Sequence, residues 1–228
     1  MENRYGYCGR QNDQNNQVSM AGKVSGDFRR IQNRNGGCFY ITRLSARRLS
    51  DYTDRIPLLI PEALVDPGID WRGKTVAVEG QFRSCNFYDR RGMHLLLFVY
   101  VGKWEMRVNS ETPDSEDDIN DIHLNGYVCR EPVYRRTPLG REITDVMLAV
   151  NRSRGETDYI PGICWGRNAR YAARELEVGT RVEVQGRIQS RYYTKEYSSE
   201  VREKRTAYEV SVNRIRPVAK QEERRSTE

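Results

Sequence analysis

Short alternations of apolar and polar residues run along the whole sequence. In residues 181–188, valine, valine, glycine and isoleucine occupy the even positions, and arginine, glutamate, glutamine and arginine occupy the odd ones. A period of two is typical of a β-strand with one buried face. Glycine inside such a strand weakens packing unless the strand bends sharply there. The pattern therefore predicts short, strongly curved strands of the kind that close into a small barrel.

The same pattern occurs twice, in the same order along the chain. Four pairs of segments match, at offsets of 104, 104, 106 and 111 residues: V-x-M-x-G-x-V at 18–24 with I-x-L-x-G-x-V at 122–128, D-R-I-P at 54–57 with D-Y-I-P at 158–161, G-x-x-V-x-V-x-G at 73–80 with the same pattern at 179–186, and L-x-V-x-V at 97–101 with Y-x-V-x-V at 208–212. The offset drifts slowly, as loop insertions would make it. We interpret the chain as an internal duplication, with two unrelated β domains as the alternative. We interpret the aspartates that begin the D-x-I-P segments as turn or strand-edge residues.

One segment of the second half has helical periodicity. In residues 168–176 the small and apolar residues fall on one stripe of a helix; they are Ala169, Ala172, Ala173 and Leu176. The equivalent segment of the first half, 61–71, contains a Pro-Gly pair and predicts only a short or degenerate helix. Four to five strands with a helix between the third and the fourth form the OB layout. The predicted fold is therefore all-β, with two tandem OB-fold barrels that each carry at most one short helix.

Charge divides the chain along the same boundaries. Residues 17–108 carry 15 basic and 9 acidic side chains, residues 121–218 carry 18 and 13, and residues 109–120 contain five acidic side chains and few apolar ones. We predict OB-fold domain 1 over 17–108 and domain 2 over 121–218, joined by an acidic linker over 109–120, with disordered ends over 1–16 and 219–228. Two basic domains favour a polyanionic partner.

Composition argues against several other classes of protein. The five cysteines form no CxxC pair and only two histidines are present, which argues against a zinc site and a disulfide framework. No apolar run approaches the ~20 residues needed to cross a bilayer, and the first residues lack the apolar region of a signal peptide. We therefore expect no metal, no cofactor, no membrane partner and a cytoplasmic location.

The second half carries a set of motifs that is specific in combination. They are G-Y-V at 126–128 with Pro132, M-L-A-V-N-R at 147–152, D-Y-I-P at 158–161, Trp165-Gly166 with Ala169, G-x-x-V-x-V-x-G-R-I-Q-S-R at 179–191, and Y-E-V-S-V at 208–212. With these motifs the second half resembles the bacterial single-stranded DNA-binding protein family, and the first half resembles a diverged copy. The resemblance implies an OB fold, no catalysis, and sequence-tolerant binding of single-stranded DNA by sets of four barrels. A chain with two barrels would reach that number as a homodimer, associated with the nucleoid.

The end of the sequence departs from the family pattern. Members of the family usually end in an acidic tail with a hydrophobic tip that recruits replication and repair enzymes. Residues 221–228, QEERRSTE, have neither feature. We therefore do not expect enzyme recruitment through this tail.

A sequence-tolerant binder of single strands needs cations along a groove and aromatic rings that stack on bases. By their position in the family-like motifs, the predicted stacking residues are Tyr159, Trp165 and Tyr193, with Tyr192 beside them. The predicted phosphate contacts are Arg152, Arg154, Arg167, Arg187 and Arg191. The alternative is that these tyrosines pack across strands and that each arginine is a solvated surface residue.

The first half offers a matching set of candidates. Phe87 falls at the position of Tyr193 in the repeat, with Tyr88 and Arg83 close to it in sequence. Direct contact with the nucleic acid and a role in dimerisation alone both remain open for this half.

The predicted function is non-enzymatic, salt-sensitive coating of single-stranded DNA during DNA replication, repair or recombination. The sequence contains no GxSxG, HExxH or GxxxxGK[ST] motif, which disfavours an enzyme. A protein–protein scaffold, or a primosome-like accessory factor that binds nucleic acid weakly, is the alternative. Binding of RNA instead of DNA also stays open, because the face of a base does not reveal its sugar.

Overall fold

The computed structural model describes residues 15–33, 36–48, 50, 52–89, 92–107, 119–153, 155–196 and 202–218. The predicted disordered ends, apart from residues 15 and 16, and most of the predicted linker lie outside these residues. The first barrel contains β1 (Asn16–Val24), β2 (Arg29–Gln32), β3 (Cys38–Arg47), β4 (Thr53–Pro61), β5 (Thr75–Asp89) and β6 (Gly92–Met106), with a 3-10 helix at Glu62–Leu64. The second contains β7 (Asn120–Val128), β8 (Val133–Arg136), β9 (Glu142–Asn151), β10 (Thr157–Trp165), helix α1 (Gly166–Glu175), β11 (Arg181–Glu196) and β12 (Arg202–Pro217).

Both barrels have the strand connections of an OB fold. In barrel 1, β3 pairs with β4, β4 with β6 in parallel, β6 with β5 and β5 with β1, and a short β1–β3 pairing closes the ring. Barrel 2 repeats this order with β9, β10, β12, β11 and β7, again with one parallel pair, β10–β12. The apolar positions of the alternating segments fill the two interiors. The all-β fold with two tandem OB barrels is therefore confirmed.

The two barrels share one continuous sheet of twelve strands, because β1 pairs antiparallel with β7. Val18 lies opposite Ile122, its counterpart in the repeat, so the two halves are related by an approximate twofold axis. Asn16 and Asn120 extend both strands by one residue beyond the predicted domain starts. Each asparagine exchanges two hydrogen bonds with the backbone of the neighbouring strand, at Phe82 and Ile188 respectively, over 2.7–2.9 Å.

The glycines of the repeated G-x-x-V-x-V-x-G segments mark the same bulge in each barrel. The register shifts at Gly80 in β5 and at Gly186 in β11. A Cβ atom at either glycine would lie 2.2 Å from a backbone oxygen of the neighbouring strand, that of Tyr100 or of Ser211. Only glycine fits so close an approach, and the bulge gives the strand its bend.

The two barrels are closed at one end by different structures. In barrel 2, α1 covers the end with Ala169, Ala172 and Leu176, as the helical stripe predicts, and begins two residues earlier than expected. Ala173, which the same pattern placed on the buried stripe, is exposed because it lies on the outer side of the helix. Thr144 Oγ1 donates a hydrogen bond to the Ala169 carbonyl over 2.8 Å and fixes the helix to β9.

Aromatic rings take the place of the helix in barrel 1. Phe28 stacks on Tyr40 with ring centroids 4.9 Å apart, and Trp71 meets Trp104 edge-on at 5.2 Å. Trp104 occupies the register position that Ile215 has in barrel 2. The predicted degenerate helix is present as the 3-10 turn at Glu62–Leu64.

Within the described residues, no helix has the length and apolarity needed to span a membrane. The same residues contain no group of three or more His, Cys, Asp or Glu side chains placed to hold a metal ion.

We predict that Gly186→Ala lowers the free energy of unfolding by about 1–3 kcal/mol, because its methyl group overlaps the Ser211 carbonyl. Urea denaturation followed by circular dichroism measures this change. The neighbouring exposed substitution Gln185→Ala is the control and should leave the midpoint almost unchanged. Equal stability of the two variants would contradict the close approach.

Candidate nucleic-acid interface

Two predicted stacking residues lie on the outer face of β10. Tyr159 and Trp165 are six residues apart on the same face of the strand, and both are exposed. Trp165 is 37% exposed and stands at the junction of β10 with α1. Its indole Nε1 donates a hydrogen bond to Ser211 Oγ of β12 over 3.2 Å. This bond holds the ring in place while its other face stays accessible to a ligand.

Trp165 lines an open groove together with the hairpin between β8 and β9. The groove, here called the Trp165 groove, is lined by Arg136, Gly140, Arg141, Glu142, Trp165 and Gly166. The combination of a flat ring and two guanidinium groups suits a base and its phosphates. Sequence reasoning missed Arg136 and Arg141, although the R-R-T-P-L-G-R run at 135–141 reads as a basic hairpin.

The carboxylate in this groove is neutralised by its neighbours. Tyr134 Oη donates a hydrogen bond to Glu142 over 2.7 Å, and Arg170 of α1 forms an ion pair with the same carboxylate. The hydrogen bond from Tyr134, aided by Arg170, lowers the pKa of Glu142 below its usual value. Glu142 thus shares its charge with Tyr134, Arg170 and the nearby Arg136, and the basic side chains that line or flank the groove outnumber this carboxylate.

The hairpin of β11 and β12 presents the other predicted rings. Tyr192 is 64% exposed and Tyr193 is 37% exposed, and as neighbours in one strand they point to opposite faces. The Arg191 guanidinium carbon lies 5.8 Å from the centroid of the Tyr193 ring. Arg191 also approaches the buried Glu209 carboxylate at 3.5 Å. Tyr193 and Arg191 therefore form a ring–cation pair on the outer face, and Tyr192 lies on the side that faces barrel 1.

Arg152 and Arg83 pair with a buried carboxylate in the structure, and their assignment as nucleic-acid contacts stays a prediction. Arg152 forms a bidentate ion pair with Asp158, which is only 1% exposed. It also donates to the Ser84 carbonyl of barrel 1 over 2.8 Å, and the Ser84 amide donates to Asp158 over 2.6 Å. Arg83 reaches the same carboxylate at 3.3 Å. These arginines therefore neutralise a buried carboxylate at the junction between the barrels.

The repeat produces the same arrangement on the other side of the twofold axis. Asp54 is fully buried, pairs with Arg48, and accepts hydrogen bonds from the amide and hydroxyl of Ser190 in barrel 2. Arg48 donates to the Ser190 carbonyl over 2.9 Å. We call these two sets the carboxylate clamps: Asp54 with Arg48 and Ser190, and Asp158 with Arg152 and Ser84. The two aspartates, interpreted from the sequence as turn or strand-edge residues, are the second residues of β4 and β10, and both are buried.

The remaining predicted residues have different surroundings. Arg187 is half-buried, and burial together with the nearby Arg48 lowers its pKa below the usual value. Arg167 is exposed in the first turn of α1. Arg154 lies outside the described residues, as do the side chains of Phe87 and Tyr88, although both belong to β5.

Comparison with known proteins places barrel 2 in a family. The sequence model of the Single-strand binding protein family matches residues 119–218. The single-stranded DNA-binding protein B of Bacillus subtilis is 36% identical over 83 residues, which cover 34% of this chain and 74% of that protein. The chain belongs to the single-strand binding protein family.

Other single-stranded DNA-binding proteins match this chain over less of their own length. The single-stranded DNA-binding protein of Clostridium tetani is 33% identical over 94 residues, covering 36% of this chain and 65% of that protein. Two further relatives, from Listeria innocua and Halalkalibacterium halodurans, are matched over 51% and 48% of their length. The chain thus spans between about half and two thirds of these three relatives.

A solved structure from this family shares the fold of the whole tandem. The wild-type single-stranded DNA binding protein from Thermus aquaticus superimposes with a TM-score of 0.69 at 20% identity, over 90% of this chain and 94% of that one. A deletion mutant of the same protein gives a TM-score of 0.68 at 19% identity. The likeness of fold therefore extends over both barrels.

We predict that Arg152→Ala lowers the free energy of unfolding by about 3–5 kcal/mol, because it leaves the buried Asp158 carboxylate without its bidentate partner. Equilibrium unfolding in urea measures this loss. Arg174→Ala, in the exposed last turn of α1, is the control and should change stability little. A stable Arg152→Ala protein with weakened nucleic-acid binding would instead indicate that Arg152 contacts the nucleic acid directly.

Proposed function

We propose that the chain binds single-stranded DNA with little sequence preference and protects it during replication, repair or recombination, without catalysis. The observation that carries this proposal is the Trp165 groove, in which an exposed indole lies beside Arg136 and Arg141. A stacked base and two neighbouring phosphates satisfy all three groups at once. The relatives' names as single-stranded DNA-binding proteins support the same ligand. We place this role in the cytoplasm, at the nucleoid.

The ring–cation pair on β11 extends the proposed path beyond the groove. Tyr193 and Arg191 offer the same chemistry as Trp165 and its arginines, on the same outer side of barrel 2. Tyr159 lies on the outer face of β10 and adds a third exposed ring. Flat rings accept every base, so this arrangement supports binding without sequence readout.

We predict that Trp165→Ala and Tyr193→Ala each weaken binding of a labelled dT oligomer by roughly 5- to 160-fold, because each loses ~1–3 kcal/mol of base stacking. Fluorescence anisotropy of the oligomer measures the affinity. Val178→Ala, exposed in the loop after α1, is the control and should bind like the parent. Unchanged affinity in both ring variants, with the parent binding normally, would remove the assigned interface.

Phosphate contacts through Arg136 and Arg141 require an affinity that falls with salt. The log–log plot of affinity against salt concentration should have a clearly negative slope, and the double substitution Arg136→Ala with Arg141→Ala should make the slope shallower. A slope near zero for the parent would contradict a polyanionic ligand. Tighter binding of rU than of dT oligomers would assign the interface to RNA.

We also propose that two chains associate, so that four barrels act together. Sedimentation equilibrium of the free protein should then give twice the 26.6 kDa of one chain. We expect this mass because the family binds DNA with sets of four barrels and one chain supplies two. A monomer at concentrations that saturate DNA would contradict this assembly.

A further inference from the structure

The outer face of barrel 1 carries its aromatic rings at different positions from barrel 2. Superposing the repeats by register places Pro61 at the position of Trp165 and Tyr100 at the position of Ser211. The pairings fix this equivalence, because Leu58 pairs with Val99 as Gly162 pairs with Val210. In barrel 2 the ring comes from β10 and rests on a small residue of β12. In barrel 1 the strand β4 ends in proline, and β6 supplies the ring.

A second ring completes this surface. Phe39 of β3 lies directly opposite Pro61, where barrel 2 has the buried Ile143 opposite Trp165. The ring centroids of Phe39 and Tyr100 are 6.4 Å apart at an interplanar angle of 60°. Both side chains are half-buried and so retain accessible ring surface. Phe39 and Tyr100 thus surround the place that the Trp165 indole occupies in the other barrel.

The surroundings of these rings are basic. One row of paired residues crosses four strands. It contains Arg29 of β2, Ile41 of β3, Leu59 of β4 and Tyr100 of β6, in that order. Arg29, Arg43 and Arg55 are all exposed along the outer sides of β2, β3 and β4. Glu62, at the end of β4, is held in a bidentate ion pair by Arg30. An apolar aromatic centre inside a cationic rim matches a nucleic-acid strand better than an uncharged protein surface.

The β11–β12 hairpin of barrel 2 connects the outer face of barrel 1 with the proposed DNA path on barrel 2. Arg43 lies close to Tyr208 of β12, and Tyr192, 64% exposed, also lies near Tyr208. Tyr192 therefore lies between the ring–cation pair on β11 and the outer face of barrel 1. Tyr192 thus offers a further exposed ring to single-stranded DNA that passes from barrel 2 to barrel 1.

We propose that Phe39 and Tyr100 form a second base-stacking surface, which takes the bases of the same single strand of DNA that occupies barrel 2. This inference rests on the proposed function and deepens it. The cations for the phosphates are Arg29, Arg43 and Arg55. The stacking surface of barrel 1 is thus built around β6 and β3, and does not depend on the Phe87 hairpin that the repeat register points to.

The test places a reporter in the proposed surface. In a Trp165→Phe background the remaining tryptophans, Trp71 and Trp104, are buried at the far end of barrel 1. Tyr100→Trp, and separately Phe39→Trp, then adds one tryptophan whose fluorescence should be quenched by dT oligomers long enough to span both barrels. Met106→Trp, six residues further along β6 and exposed, is the matched control and should not be quenched.

The outcomes separate this inference from the proposed function. Quenching of both reporters supports it, and unquenched reporters at DNA concentrations that quench Trp165 in the parent overturn it. If the parent itself does not bind DNA, the proposed function fails first and this inference fails with it.

The double variant Phe39→Ala with Tyr100→Ala gives an independent readout. The number of nucleotides that each chain occludes should fall to roughly half, because one barrel of two no longer holds the strand. An unchanged occluded length together with loss of self-association in sedimentation would identify the face as a contact between two copies of the chain, and would overturn the inference.

Discussion

The pairing of β1 with β7 and the two carboxylate clamps determine how everything else in the molecule is placed. A small barrel that ends in an open strand edge exposes unpaired amides and carbonyls. Here the edges of the two barrels satisfy each other, with Val18 opposite Ile122. Asp54 and Asp158 then reach across the junction and bind the backbone of the opposite barrel at Ser190 and Ser84. Burying either carboxylate costs free energy, and the ion pair with an arginine of the same barrel offsets this cost.

The clamps lie at the base of the segments that carry the candidate site. Ser190 precedes Tyr192 and Tyr193 in β11, and the Tyr159 amide donates to Ser84 Oγ over 2.8 Å. Contacts across the junction therefore hold the strands that carry these exposed rings of barrel 2. The geometry of the candidate interface thus depends on both barrels, because the segments that carry its rings are bound by residues of barrel 1.

The fold can be predicted well from the sequence, and the candidate site only in part. Four repeated segments in register are enough to predict two barrels, and the alanine stripe at 169–176 predicts helix α1. Exposed positions for Trp165 and Tyr193 also follow from their motifs. The role of Arg152 does not, because its partner Ser84 is 68 residues away and belongs to the other barrel. The recurrence of Arg48, Asp54 and Ser84 as Arg152, Asp158 and Ser190 at nearly constant offsets is the signal that would have revealed the clamps.

The covalent connection between the barrels changes the thermodynamics of their pairing. Two barrels on separate chains would come apart on dilution, since their association depends on concentration. Within one chain the same contact is intramolecular and its occupancy is set by an effective concentration. The two halves also need not be identical, because at the β1–β7 pairing each barrel meets only its own covalent partner. That freedom is visible in the helix that closes one barrel and the four aromatic rings that close the other.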